Sequence, residues 1–495
     1  MSSRYLENTA VPPPMIDRIF SFRGVCTMVI VLLIFGFATR RLVEPDFWWH
    51  LRDGRQIVQQ HSIPRTITYT LGAAGTPYVD FEWLAETIYY LGYRTAGLRG
   101  VVATYFGVLV LLYAGLYYLA CGTGADNSSA LLVTLLAVLL GSVGIGPRAH
   151  LFGWLCMVCL LLLLDRFRRT GRGIWLVPPL FALWINLHGS WLFGIIVLAV
   201  TIASGLVEGR WGIIVARRWT AAELKRLLLV FGCSVAALFV NPFGYKLPLY
   251  PFDLLFRQSI AMQYVEEWQS VDFGKGSGKL ALITVLVLLL TALLSRRRWR
   301  LDETLLMVFA LWVGLSHVRM LIFFGLIVTP IIAPRLDLMP PSGHERNRPF
   351  VNAAIMAVMA AWVVLSFPTE VKLQHQLDEK FPTAALNFVR AQHITGAVLS
   401  EDWWGGYVGW KTPEFKPFID SRADVFVYDG SFDDYLSAVK LRHPFDVLDK
   451  RKIDYALLEA NEPLVSVLEQ SPAWRVIYSD PMVVLLARSQ LSTQQ

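Results

Sequence analysis

Two acidic residues, Glu44 and Asp46, lie on either side of Pro45, directly after a long apolar segment. Pro45 ends the helix expected there, because proline cannot continue the hydrogen bonding of a helix. From Phe47 to Gln60 the apolar and polar side chains recur as on a helix that lies flat on a membrane. A carboxylate at the boundary between water and lipid is partly desolvated and can take a proton from a hydroxyl group. The pattern therefore indicates Asp46 as a candidate general base.

Further polar residues stand at the ends of other apolar segments. Ionisable groups at membrane depth are costly, so a set of them on one face marks a polar site. For any single residue, helix capping or anchoring at the interface explains the pattern equally well. The residues in question are His50, Glu82, Trp83, Arg148, His150, His188, His317 and Arg319.

The segments that must position these residues are those of a membrane protein. Of 495 residues, 55% are hydrophobic and only 17% are charged. Soluble domains carry about 25% charged residues, so the composition favours a polytopic α-helical membrane protein. The five cysteines lie in or beside apolar segments, which excludes a disulfide scaffold. About eleven stretches suit transmembrane helices, near 24–40, 100–120, 129–146, 150–165, 174–187, 190–207, 226–240, 279–295, 302–316, 320–334 and 350–367.

The distribution of charge orients these helices. Residues 368–495 have a net charge of −5, whereas residues 1–367 have a net charge of +12. The basic residues of the membrane part cluster in four loops, at 166–172, 210–226, 296–300 and 335–348. Loops rich in lysine and arginine stay in the cytoplasm. The N-terminus is therefore expected inside, and the polar residues above and the C-terminal domain outside.

Two large loops are expected on the outer side, at 41–99 and 241–278. Within the first, the segment Trp83–Leu98 spans about 16 residues and carries Glu86 and Arg94. We expect it to form an amphipathic helix at the outer surface, because a crossing there would turn the arginine clusters outward.

From residue 368 the pattern changes to that of a soluble, extracytoplasmic α/β domain. Helices are expected between the strands, and Asp420 and Arg422 follow one strand. An ion pair that stabilises the loop is the expected role of these two residues, and ligand binding at the strand end is the alternative. The expected strands are Ala397–Ser400, Pro417–Ile419, Tyr455–Leu458, Arg475–Tyr478 and Val483–Ala487.

The motifs also occur in a characteristic order. They are DFWWHLRDG, TITYT, DFEWLAE, PRAH, NLHGSW and NPFGY. This series, with an acidic pair after the first helix, resembles the GT-C superfamily of integral-membrane glycosyltransferases, in particular bacterial members. The resemblance implies a sugar donor carried on a polyprenyl phosphate, transfer at the outer face of the bacterial inner membrane, and inversion at the anomeric carbon. It assigns the general-base role to Asp46 and the second acidic position to Glu44.

A donor of this kind needs cations near its phosphate. Arg148 and Arg319 are the arginines of the short outer loops and could bind phosphate in a bidentate manner. Membrane anchoring is the alternative for both. The expected substrate-binding residues are Glu44, His50, Glu82, Trp83, Arg148, His150, His188, His317 and Arg319.

No metal ligand is assigned, because the spacing of Glu44, Asp46, His50 and Glu82 does not require an ion. A divalent cation held by these residues is the alternative. The acceptor is expected to be a lipid, a glycan or a protein, and membrane lipids are partners, whereas no nucleic acid is expected. Two other functions stay open: a transporter or flippase of lipid-linked sugars, and a non-catalytic partner in the assembly of envelope polysaccharide.

Overall fold

The protein consists of a helical bundle followed by an α/β domain. The computed structural model describes residues 15–40, 42–257, 266–336 and 348–489. Parts of the fourth basic loop, of the outer loop 241–278 and of the C-terminal domain lie outside these residues. The α-helices of the bundle are Met15–Ile19, Phe22–Ala38, Phe47–Gln60, Trp83–Gly122, Asn127–Gly141, His150–Thr170, Val177–Trp184, Trp191–Ser204, Ala221–Ala237, Lys246–Arg257, Gly276–Leu294, Leu301–Ser316, Leu321–Leu336 and Pro349–Leu365.

All eleven apolar stretches of the sequence fall on helices. By length and hydropathy, five described helices could cross a membrane, and the bent pair Pro349–Leu365 and Glu370–Asp378 would make a sixth. Shorter apolar helices are Phe22–Ala38, Ile174–Trp184 and Trp191–Ser204. The polytopic helical fold is thus confirmed, while the count of eleven crossings stays a prediction. The five long helices are Trp83–Gly122, Asn127–Gly144, His150–Thr170, Gly276–Leu294 and Val318–Leu336.

The long helix Trp83–Gly122 is broken near the end of the segment predicted to lie on the surface. Ala96 and Gly97 depart from helical geometry, and Gly97 has a φ of 60°, which glycine adopts without strain. After the break, Glu370 accepts hydrogen bonds from the backbone N–H groups of Leu98 (3.0 Å) and Arg99 (3.2 Å). A carboxylate at a helix N-terminus is stabilising. The C-terminal domain therefore helps to fix this bend.

The segment before the break packs against Phe47–Gln60, which we call the surface helix. The two backbones approach closely at Gly54, where an added Cβ would lie 2.4 Å from the carbonyl oxygen of Glu86. Trp48 and Leu51 of the same helix are buried, and the Trp48 ring packs edge-on against Tyr407 of the C-terminal domain, with 4.6 Å between centroids. The surface helix is thereby anchored between the bundle and the C-terminal domain.

The C-terminal α/β region predicted from the sequence is confirmed. Its five-stranded sheet has the order Phe415–Pro417, Gly396–Ser400, Tyr455–Glu459, Val483–Arg488 and Trp474–Ser479. The first three strands are parallel, and Val483–Arg488 is antiparallel to both of its neighbours. The surrounding helices are Glu370–Asp378, Thr383–Ala391, Asp402–Lys411, Ala423–Phe426, Ser431–Val439, Pro444–Lys450 and Pro463–Glu469. A second, small sheet joins Gly209–Trp211, Ile214–Ala216 and Trp299–Arg300.

The first outer loop, residues 41–99, is packed into this domain. The backbone N–H groups of Leu71 and Gly72 donate to the carbonyl oxygens of Pro417 (2.9 Å) and Phe418 (2.7 Å), beside the edge strand. Ile67, Ala73 and Tyr78 of the loop belong to the hydrophobic core of the domain. The loop that carries the acidic pair and the C-terminal domain therefore share one core.

Candidate active site

Asp46 occupies the N-cap position of the surface helix, where the helix dipole favours a negative charge. Its Oδ1 accepts hydrogen bonds from Ser421 Oγ (2.6 Å) and Trp49 Nε1 (3.3 Å). Burial alone would raise the pKa of Asp46, but the charge of Arg148 and the hydrogen bond from Ser421 help to hold it below its usual value. The side chain is only partly buried. Asp46 is therefore an ionised carboxylate that a small group can reach.

Arg148 is held by two other carboxylates. Its Nη2 lies 2.6 Å from Glu44 Oε1, and its Nη1 lies 2.7 Å from Glu267 Oε1. Burial raises the pKa of Glu44 to about 7, with Asp46 and Glu267 adding repulsion against the attraction of Arg148. The guanidinium of Arg148 thus contacts Glu44 and Glu267, and its charge also acts on Asp46. The charge of Arg148 is therefore neutralised by carboxylates of the protein and is less available to an anionic substrate.

Arg319 is placed differently. Its guanidinium stands 5.5 Å from the centre of the Trp268 ring, and it forms no salt bridge with a residue that the structure describes. His317 meets the same ring edge-on, at 5.7 Å between centroids, and burial lowers its pKa. The positive charge of Arg319 is close enough to contribute to the lowered pKa of Asp46. Arg319 is therefore the arginine whose charge remains available to an anion.

Glu82 joins two histidines in a buried polar cluster. Its carboxylate oxygens lie 3.4 Å from His188 Nε2 and 3.7 Å from His50 Nε2, and His50 Nδ1 lies 3.0 Å from Glu86 Oε1. Burial lowers the pKa of both histidines to about 3 and raises the pKa of Glu82 well above its usual value. At neutral pH these groups act as hydrogen-bonding partners rather than as charges.

Trp83 and His150 are both bound to protein groups. Trp83 Nε1 donates to Asn186 Oδ1 (2.9 Å), and His150 Nε2 lies 2.8 Å from the carbonyl oxygen of Gly144. These contacts tie helix ends together beside His188, whose ring lies 6.2 Å from that of His150. The substrate-binding role expected for Trp83 and His150 stays a prediction.

The structure adds site residues that sequence patterns did not indicate. Ser421 reaches Asp46 from the C-terminal domain. Beside it, the buried Arg422 pairs with Asp420 (2.7 Å), as the sequence predicted, and also lies 3.6 Å from Asp53 Oδ2 on the surface helix. The guanidinium lies over aromatic rings of the outer loop and surface helix, those of Trp49, Tyr69 and Tyr78. The C-terminal domain is therefore part of the site.

The outer loop 241–278 also reaches this region. Tyr250 stacks on Phe81 at 4.8 Å and donates a hydrogen bond to Asp424. Arg65 Nη2 donates to the carbonyl oxygen of Pro242 (2.9 Å). Residues 258–265 of this loop lie outside the described part of the chain. The described part of this loop contacts both the first outer loop and the C-terminal domain.

Among the described residues, one trio of side chains is arranged so that it could hold a metal ion. It consists of Asp53, Asp80 and Glu86. The alternative set suggested by the sequence, Glu44, Asp46, His50 and Glu82, does not have this spacing among the described residues. Its carboxylates lie instead beside Arg148, Ser421 and His188.

Comparisons with known proteins rest on structure. No protein-family model matches the chain, and no curated protein matches it either. ArnT from Cupriavidus metallidurans, solved with bound undecaprenyl phosphate, superposes with a TM-score of 0.57 and 15% identity over 95% of this chain and 99% of ArnT. In the apo state, ArnT gives a TM-score of 0.50 and 13% identity over 94% and 97% of the two chains.

A third solved structure is the archaeal oligosaccharyltransferase AglB from Archaeoglobus fulgidus, in complex with an inhibitory peptide and a dolichol-phosphate. It gives a TM-score of 0.48 and 13% identity over 95% of this chain and 75% of AglB. At such identities a likeness concerns the fold alone. The match to ArnT extends over the bundle and the C-terminal domain. The chain therefore has a fold like that of ArnT from Cupriavidus metallidurans.

Proposed function

We propose that the chain is a glycosyltransferase that moves a hexosyl or pentosyl group from a polyprenyl-phosphate donor to an extracytoplasmic acceptor, with inversion. The observation that carries this proposal is the ionised, reachable Asp46 near an arginine without a carboxylate partner among the described residues, Arg319. A base and an anion-binding cation are the two groups that transfer from a phosphate donor requires.

The reaction follows from these positions. An acceptor hydroxyl attacks the anomeric carbon from the face opposite the phosphate, and the bond between that carbon and the phosphate oxygen breaks. The hydroxyl proton passes to Asp46, and Arg319 stabilises the charge left on the polyprenyl phosphate. The low pKa of Asp46 is compatible with this role, because the hydroxyl becomes acidic only as its new bond forms.

The neutral cluster around Glu82 suits the sugar. A protonated Glu82 and the neutral rings of His50 and His188 offer donors and acceptors in a largely water-free setting. Sugar hydroxyls pair with such groups without the cost of burying a charge. We assign this cluster to recognition of the donor sugar.

The donor class is supported by the likeness to ArnT, which was solved with undecaprenyl phosphate. The location proposed is the bacterial inner membrane, with the N-terminus in the cytoplasm and the C-terminal domain outside, as the basic loops indicate. The acceptor is a lipid, a glycan or a protein of the envelope. The contact between Ser421 and Asp46 supports a role of the C-terminal domain at the acceptor side.

The test is substitution of the proposed base. In a deletion strain complemented with wild type or Asp46→Asn, mass spectrometry of envelope glycans and glycolipids should show a sugar that only wild type adds. Purified Asp46→Asn should transfer about 10²- to 10⁴-fold more slowly. The exposed Asp433→Asn is the matched control and should transfer normally.

Full transfer by an Asp46→Asn protein that inserts normally would refute the mechanism. Movement of a lipid-linked sugar across vesicles without any covalent product would instead identify a flippase. A product that forms in the absence of this chain would point to a non-catalytic partner.

A further inference from the structure

Three carboxylates meet behind the proposed active site, and the proposed reaction uses none of them. Asp53 lies on the surface helix, Asp80 in the outer loop, and Glu86 in the first turn of the helix that follows. One oxygen from each lies within 4.8 Å of one oxygen from each of the others. All three residues are at most 1% exposed. Such an arrangement is costly, because ionised carboxylates repel one another and lose their hydration when buried.

Each carboxylate is fixed through one of its oxygens. Tyr69 donates to Asp53 Oδ2 (3.3 Å), and the backbone N–H of Glu82 donates to Asp80 Oδ1 (3.2 Å). His50 Nδ1 holds Glu86 Oε1 at 3.0 Å. The protein thus orients all three groups from outside the cluster.

The second oxygen of each carboxylate has no such partner. Asp53 Oδ1, Asp80 Oδ2 and Glu86 Oε2 are buried and accept no hydrogen bond from an N–H or hydroxyl group of a described residue, and the carboxyl groups of Asp80 and Glu86 lie close enough to share a proton if no ion separates them. Buried polar atoms are nearly always paired, so three orphaned oxygens in one cluster call for a ligand. The ligand must be positively charged or must donate to oxygen.

Protein cations do not supply that charge among the described residues. Arg422 lies 3.6 Å from Asp53 but is already paired with Asp420 at 2.7 Å. The charge of Arg52 also reaches Asp53, but its guanidinium donates to the carbonyl oxygen of Gly409 (2.6 Å). Counting Asp420, four carboxylates therefore face two guanidinium groups. A divalent cation would remove most of this excess.

We propose that Asp53, Asp80 and Glu86 bind a hard divalent cation, of the class of Ca²⁺, Mn²⁺ or Mg²⁺. The potential ligands are carboxylate oxygens, which such ions prefer. The spacing fits, because two oxygens on opposite sides of one ion lie about 5 Å apart for Ca²⁺ and about 4 Å apart for Mg²⁺. This site is distinct from the base, since Asp53 follows Asp46 by seven residues, about 10 Å along a helix.

Such an ion has a structural consequence. It joins the surface helix, the outer loop and the helix Trp83–Gly122 at one point, beside the contact with the C-terminal domain. Because Asp46 begins the same surface helix, the ion would hold the base in place from behind. Asp53, Asp80 and Glu86 are therefore positioning residues, and the proposal does not depend on which sugar is transferred.

The first experiment uses the full chain, purified in detergent. Elemental analysis by mass spectrometry should find about one divalent ion per chain, and EDTA should remove it. Adding Ca²⁺, Mn²⁺ or Mg²⁺ to the stripped protein, each separately, should raise the thermal midpoint by about 2 °C or more for the preferred ion. Failure of all three ions to bind to or stabilise the stripped wild type would overturn the proposal.

Variants then locate the ion. Asp80→Asn and Glu86→Gln keep the shape of the side chains and should lose both the ion and the response to it. Asp46→Asn and Asp424→Asn are matched controls and should keep both. If Asp80→Asn and Glu86→Gln bound the ion as well as wild type does, the proposal would be overturned.

One competing explanation is a proton shared between Asp80 and Glu86. In that case the two amide variants would be as stable as wild type, and no preparation would contain an ion. That outcome would also overturn the proposal. Ion binding is measured separately from sugar transfer. If the protein bound the ion while Asp46→Asn transferred sugar normally, the metal site would be supported and the proposed function would be refuted.

Discussion

Two clusters of buried or partly buried charged side chains, both in the described part of the chain, differ in how their charges are balanced. We call Asp165, Asp302 and Glu303, with their arginine partners, the inner ion cluster, because they lie next to the basic loops. There each acid has an arginine, with contacts of 2.5 Å from Asp165 to Arg169, 2.7 Å from Asp302 to Arg168 and 2.7 Å from Glu303 to Arg335.

The candidate active site lacks this balance. Arg148 serves Glu44, Glu267 and Asp46, while Arg422 serves Asp420 and the nearby Asp53. A balanced ion cluster holds helices together, and any substrate would have to compete with its internal partners. Where carboxylates outnumber arginines and packing holds them close together, they repel one another. Such carboxylates readily bind protons, cations or the hydroxyl groups of a sugar. The comparison therefore predicts that substitutions in the inner ion cluster mainly lower stability, whereas substitutions in the candidate active site mainly lower activity.

The largest expected effect is on stability at the inner ion cluster. Glu303→Gln leaves the buried Arg335 without its carboxylate and should lower the free energy of unfolding by about 3 kcal/mol. The rate of sugar transfer per folded molecule should not change, because the cluster lies away from Asp46. Thermal unfolding in detergent and transfer by the folded fraction measure the two quantities. A large loss of transfer with normal stability would contradict the distinction between the two regions.

Arg148 and Arg319 should respond to substitution in opposite ways. Arg319→Gln removes a charge that has no carboxylate partner among the described residues, so stability should be nearly unchanged. Catalytic efficiency with the polyprenyl-phosphate donor should fall about 10- to 100-fold, the value of a charge-assisted hydrogen bond to phosphate. Arg148→Gln leaves Glu44 and Glu267 unpaired and should mainly destabilise the protein. If only Arg148→Gln weakened use of the donor, the phosphate would be held by Arg148.

The acid excess also predicts a pH effect at Glu44. Its pKa is raised from 4.5 to about 7, so between these values the folded protein holds a proton that the unfolded chain does not. The stabilisation is therefore complete below about pH 4.5 and is lost as the pH rises through 7. Relative to Glu44→Gln, wild type should gain about 1.4 kcal/mol of stability for each pH unit of acidification in this window.

Thermal unfolding of the two proteins from pH 5 to pH 8 checks this expectation. The exposed Glu414→Gln serves as a control for the general effect of removing a carboxylate. If stability changed with pH in the same way for wild type and Glu44→Gln, the expectation that Glu44 takes up a proton on folding would be wrong.

Much of the fold could be predicted from the sequence because its signals are local. Apolar stretches of the right length indicated the helices, alternating strands indicated the C-terminal sheet, and Ala96 and Gly97 mark the end of the segment expected on the surface. The basic loops indicated which helix ends would meet. For that reason Glu44 and Arg148, and Glu82 and His188, could be assigned to one face before their contacts were known.

The remaining site depends on how the C-terminal domain docks, and no local signal reports that. Ser421 and Asp46 are 375 residues apart, and their contact follows from backbone pairing of the outer loop with the edge of the sheet. Likewise, the sequence could not show that Arg148 pairs with Glu267, whereas Arg319 pairs with no carboxylate of a described residue. Which of several arginines pairs with a given carboxylate depends on packing and on distances of a few ångströms, and neither can be read from the sequence.

The smallest expected effect tests this docking. Ser421→Ala removes the 2.6 Å hydrogen bond to Asp46, in a partly exposed setting where water replaces part of the interaction. We expect a loss of about 1 kcal/mol at the transition state, or a rate about fivefold lower. Because this bond helps to hold the pKa of Asp46 down, its loss should also move the acidic limb of the pH–rate profile to higher pH.

Ser431→Ala is the matched control for that change. Ser431 lies in the same domain and donates a hydrogen bond of similar length, 2.6 Å, to Asp429, away from Asp46. It should leave the pH–rate profile in place, whatever it does to stability. If Ser421→Ala and Ser431→Ala shifted the profile equally, the C-terminal domain would act only as a support, because a direct contact with the base predicts a shift for Ser421→Ala alone.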